Sequence, residues 1–132
     1  MTPSPPFTMS QAIILFAHGA RDPMWSRPFE AVAEHLRALR PDATVLLAYL
    51  EFMSPTLQEA GEALARAGAT EVRVVPMFLG AGGHVRRDLP RLLETLQQQH
   101  PQVRWSLQPA IGEAPAVIKA MAKQAAGQEL AP

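Results

Sequence analysis

Two histidines in this chain each follow an apolar run and lie beside a glycine-bearing turn. In IILFAHGARD, Ile13–Asp22, the run stops at His18 and the chain turns at Gly19. In VRVVPMFLGAGGHVRRD, Val72–Asp88, a second run passes through Gly80, Gly82 and Gly83 to His84. Neutral imidazole is a common ligand for first-row transition ions, and it also takes up a proton near neutral pH. Two such rings with open coordination positions suit a site that holds a metal ion briefly. Glu51 follows a third apolar run and is a candidate third ligand or proton acceptor. Arg21, Arg86 and Arg87 flank the histidines and can grip carboxylates through paired hydrogen bonds.

Each of these residues also has a plainer use. A histidine at a strand end is often structural, a surface arginine is often only solvated, and a carboxylate after a strand often binds backbone amides or water. What favours function is convergence, which depends on the elements that carry the residues.

Ile13, Ile14, Leu15 and Phe16 are consecutive apolar residues, as in a strand covered on both faces. The first strand is expected over Gln11–Ala17. Asp22 is a suitable N-cap and Pro23 a suitable first helical residue, so a helix follows. Its apolar face would comprise Phe29, Val32, Ala33, Leu36 and Leu39, and Arg40–Pro41 would end it. The second strand is Thr44–Leu50. A second helix starts at Ser54–Pro55 and ends near Ala67, with Gly68 beyond it.

The third strand is Glu71–Phe78, with Pro76 placed near its end because proline cannot donate to a sheet ladder. A third helix over Asp88–Gln99 would bury Leu89, Leu92, Leu93 and Leu96. The fourth strand, Val103–Leu107, alternates apolar and polar residues, as an edge strand does. A fourth helix after Pro115 would turn Val117, Ile118 and Met121 inward.

A βαβαβαβα order implies an α/β three-layer sandwich with a four-stranded parallel sheet and right-handed crossovers. Strands one and three look the most buried, so the strand order 2-1-3-4 is expected. The crevice at the reversal of chain direction then opens beyond the carboxyl ends of strands one and three, where such sheets bind ligands. His18 and His84 would share it.

Composition narrows the classes further. Lys plus Arg and Asp plus Glu number 12 each, so no overall field attracts nucleic acid or an anionic membrane. The absence of cysteine excludes disulfides and thiolate metal sites. No apolar stretch approaches a membrane span and no signal peptide is evident, which points to a cytoplasmic protein. One domain over residues 11–126 is expected, with tails at 1–10 and 127–132.

The motifs HGARDP at 18–23, FM and SP with Leu57 over 52–57, and P-FL--GGH---DLP from Pro76 to Pro90 resemble the CbiX-type sirohydrochlorin chelatases. The resemblance runs in order over Ile13–Pro115. It implies a chelatase/flavodoxin-like fold and insertion of cobalt, nickel or iron into sirohydrochlorin or a related tetrapyrrole, for cobalamin or sirohaem-type biosynthesis. The family's two metal-site histidines would correspond to His18 and His84.

Ala20 stands where the family usually has serine. The family's single-domain members pair as homodimers, so a homodimer is implied. Catalysis would involve His18, His84 and Glu51, while Arg21, Gly82, Gly83, Arg86 and Arg87 would meet the substrate. The metal is a substrate and no organic cofactor is needed.

Two other readings use the same residues. One is a metal- or tetrapyrrole-binding protein without catalysis. The other is a flavodoxin-like nucleotide binder with Gly80–Gly83 as a phosphate nest, although neither a GK[ST] tail nor GxGxxG is present. A histidine-phosphatase reading of the first motif is weaker, because Ala17 and not arginine precedes His18.

Overall fold

The computed structural model describes residues 10–80 and 82–128. Most of the two expected tails, residues 1–9 and 129–132, and Ala81 of the glycine loop lie outside the described residues. The strands are β1 (Gln11–Ala17), β2 (Thr44–Tyr49), β3 (Glu71–Pro76) and β4 (Arg104–Leu107). The helices are α1 (Arg27–Leu39), α2 (Leu57–Arg66), α3 (Gly83–Gln99) and α4 (Pro115–Ala125). All strand pairs are parallel and the order is β2-β1-β3-β4. β1 and β3 occupy the centre as expected, the alternating β4 one edge, and β2, itself a nearly unbroken apolar run, the other. No helix among the described residues is long and apolar enough to cross a membrane.

The two faces of β1 feed two separate cores. Ala12, Ile14 and Phe16 join Leu57, Leu64, Leu89, Leu93 and Leu96 beneath α2 and α3. Ile13 and Leu15 join Ala33 and Val45 beneath α1. Period-two side-chain alternation divides β1 between the layers.

Pro76 fits its place for a geometric reason. Met77 N–H still donates to Phe16 O at 2.7 Å on the β1 side. On the β4 side the last bond is from Gln108 N–H to Val74 O, at 2.9 Å. The missing N–H of Pro76 therefore points where the edge strand has already ended. That stops β3 two residues before the expected Phe78.

The helices also differ from expectation. A 3₁₀ turn, Pro23–Ser26, precedes α1, although Asp22 caps as expected by accepting from Met24 N–H at 2.9 Å. Helix α2 starts at Leu57, because Thr56 and Glu59 form a reciprocal capping box that outweighs the Ser54–Pro55 signal. Helix α3 starts at Gly83, five residues before Asp88, and runs through Pro90. Pro90 is exposed, while its neighbours Leu89 and Leu93 are buried, so packing holds the helix across the proline.

Helix α4 contributes no buried residue, and Ile118 and Met121 are exposed where an inward face was expected. With α4 directed away, the α1 side of the sheet keeps an open groove of about 660 Å³ lined by Ile13, Leu15, Leu36, Val75 and Met77. Val32 and Leu39, expected in the α1 core, are exposed beside it, Leu39 at 78 %.

Candidate metal site at the carboxyl edge of the sheet

His18 follows the last residue of β1 and Glu51 lies two residues beyond β2. The parallel ladder continues past both strand ends. Leu50 N–H donates to Ala17 O at 2.9 Å, and Glu51 N–H to His18 O at 3.1 Å. These bonds hold the two loops together, and the His18 side chain meets Glu51, one residue past its register position at Leu50. His18 Nε2 and Glu51 Oε1 are 3.1 Å apart, with about half of each side chain exposed.

Gly19 makes this approach possible. Its φ is +90°, and a Cβ there would stand 1.9 Å from the carbonyl oxygen of Glu51. Any side chain would push the β2 loop away from His18. In the sequence Gly19 reads only as a turn residue; its contact with Glu51 has no local signal.

The separation of the pair has chemical meaning. Two ligands roughly 2.0–2.2 Å from one ion, at adjacent coordination positions, lie roughly 3–3.5 Å apart. The imidazole nitrogen and carboxylate oxygen are already at that spacing, on a side open to solvent. The same pair can pass a proton from one group to the other.

His84 is the second residue of α3 and is exposed. It reaches the same sheet edge by a different path, since β3 lies beside β1 with Phe16 opposite Pro76. The structure closes the His18–Glu51 pair and leaves His84 on the neighbouring helix start. Among the described residues no group of three or more His, Cys, Asp or Glu side chains is gathered to hold a metal ion. Gly82 is the N-cap of α3, and Gly83, Arg86 and Arg87 lie in its first turns. These residues therefore begin a helix where a glycine loop was expected. Arg87 Nε donates to Gly83 O at 3.2 Å, while Arg86 is exposed.

Arg21 lies over the ring of Phe52, its guanidinium carbon 4.9 Å from the centroid. Phe52 has φ +68°, in the left-handed region. No local pattern in the sequence signals this second bridge between the two loops. His35 and His100, read as structural, lie elsewhere: His35 on α1 beside the open groove, and His100 at the end of α3, where its carbonyl accepts from Trp105 Nε1 at 3.3 Å.

Comparison with known proteins adds an independent line. The model of the family described as CbiX matches residues 12–128. A sirohydrochlorin cobaltochelatase from Methanopyrus kandleri is 37% identical over 82 residues, which are 62% of this chain and 57% of that protein. A sirohydrochlorin ferrochelatase from Bacillus subtilis is 31% identical over 113 residues, 86% of this chain and 43% of that protein. The chain thus spans about half the length of these relatives. The crystal structure of a cobalamin (vitamin B12) biosynthesis CbiX protein from Marinobacter aquaeolei superposes with a TM-score of 0.77 at 33% identity. That match covers 89% of this chain and 95% of the other.

Proposed function

We propose, given that the chain belongs to the CbiX family, that it inserts a divalent metal ion into sirohydrochlorin or a related tetrapyrrole. The observation that carries this reading is the His18–Glu51 pair, 3.1 Å apart on the open carboxyl edge of the sheet. Cobalt, nickel and iron are the candidate substrate ions. The product would feed cobalamin or sirohaem-type biosynthesis in the cytoplasm.

In this mechanism His18 and Glu51 take the ion as adjacent ligands, and His84 approaches from the start of α3. Positions on the solvent side stay open for the macrocycle. Arg21, Arg86 and Arg87 meet its acetate and propionate groups, while Gly82 and Gly83 let the backbone come close. Two pyrrole N–H protons must leave as the metal enters. Glu51, released from the ion, accepts one, and His18 accepts the other as the ion transfers to the ring. No electron changes hands and no organic cofactor takes part.

We also propose that two copies pair. A single lobe covers one side of a large macrocycle, and the Bacillus subtilis relative, of which the 113 matched residues are only 43%, has the length for a two-lobed arrangement. Support comes from α4, where Ile118 and Met121 are exposed, and from the open apolar groove on the α1 side.

The test is an insertion assay with cobalt, nickel and iron offered in parallel, following metallated sirohydrochlorin by its absorbance. A rate above the protein-free control with at least one ion is expected. Binding without any rate increase would make the protein a carrier and overturn the enzymatic reading.

A further inference from the structure

We infer that Phe52 and Arg21 form a positioning element for the tetrapyrrole, Phe52 offering a flat apolar face to the macrocycle and Arg21 a cation to one of its carboxylates. The inference rests on the chelatase reading and extends it to a residue pair outside the metal-binding groups.

Three observations carry it. First, Phe52 is the one non-glycine residue with positive φ among the described residues, at +68°. An aromatic residue in that region is strained, and such strain persists where the surroundings over-determine it, often at ligand sites. Second, burial does not account for the choice of residue, because Phe52 is 56% exposed. Third, Arg21 covers one face of the ring at 4.9 Å, and among the described residues it forms no ion pair with a carboxylate.

The location of the pair matters as much. Arg21 is on the loop that begins with His18, and Phe52 directly follows Glu51. The same two loops are therefore bridged twice, once by the imidazole–carboxylate pair and once by the cation–ring pair. Exposed Leu50 and Leu79 lie on the loops leaving the same sheet edge, after β2 and β3. An aromatic face, a fixed cation and an apolar surround suit a planar ligand with anionic arms. A bare metal ion needs none of them.

The pair is tested by titrating metal-free sirohydrochlorin into wild type, Phe52→Ala, Phe52→Trp, Phe52→Gly, Arg21→Ala and Arg21→Lys. Cobalt binding without tetrapyrrole and thermal midpoints are measured alongside. Phe52→Ala and Arg21→Ala should each weaken tetrapyrrole binding about tenfold, a change of the size such contacts support. Phe52→Trp should restore it, and cobalt binding should not change. In the insertion assay KM for the tetrapyrrole should rise with little change in kcat. Phe52→Gly should lose binding without losing thermal stability, since glycine accepts the backbone conformation.

Tetrapyrrole binding to Phe52→Ala at wild-type strength would overturn the inference and leave the chelatase reading standing. So would a loss that merely tracks a lowered thermal midpoint. Failure of the wild type itself to bind sirohydrochlorin would instead overturn both.

Discussion

Gly19 lies so close to Glu51 that a Cβ on the glycine would stand 1.9 Å from the carbonyl oxygen of Glu51. The glycine is thus what lets two loops from neighbouring strands meet, and the His18–Glu51 contact depends on it. Gly19→Ala should destabilise the fold by roughly 2–5 kcal/mol, through the left-handed backbone and the forced displacement of the β2 loop. Denaturant unfolding measures this. A variant as stable as wild type that retains cobalt affinity would show that the close approach is dispensable.

Metal affinity separates the members of the site. His18→Ala and Glu51→Gln should each weaken cobalt binding by at least about tenfold, since even outer partners of a metal site cost that much. His84→Ala should weaken it as well. Calorimetric titration of the three variants gives the comparison. Equal cobalt affinity in His18→Ala and His84→Ala to that of wild type would remove the metal-site assignment.

Acid stability should carry a signature of Asp42. Its carboxyl is held below the ordinary value of 3.8, chiefly by side-chain hydrogen bonding to Arg40. Arg40 donates to it from Nε and from a terminal guanidinium nitrogen, each at 3.1 Å, and also bonds the side chain of Gln11. A carboxyl with a lowered folded-state value stabilises the fold above its unfolded value, and that contribution disappears as pH falls through the lower, folded value. The difference in thermal midpoint between wild type and Asp42→Asn should therefore be present at neutral pH and vanish in strong acid. A constant difference from pH 7 to pH 2 would contradict it.

Pairing of two copies can be examined at α4. Ile118 is 50% exposed and the helix contributes nothing to the core, so Ile118→Glu should leave the fold intact. Light scattering should then report a shift from dimer to monomer, with circular dichroism unchanged. A wild-type monomer at micromolar concentration would end the pairing proposal.

Much of the architecture was legible because it rests on local patterns. Four unbroken or alternating apolar segments, separated by helical periodicity, determined a parallel α/β sheet in the order 2-1-3-4. Strand ends at His18 and in the Pro76 region, and the Asp22 cap, followed from residue chemistry alone. The motif spacing also pointed to the family that residues 12–128 match.

What the sequence could not determine depended on contacts between distant segments. The start of α3 moved to Gly83 because the packing of Leu89 and Leu93 outweighs an interior proline. Helix α4 has the apolar pattern of an inward face, yet it lies off the sheet, because a pattern states what a surface can bury and not which surface will cover it. His18 was a candidate from its position at a strand end. Its 3.1 Å partner was settled only when parallel β1 and β2 brought Glu51 alongside and Gly19 left room for it. Residue type and local order are written in the chain; distances between loops appear only once the strands have paired.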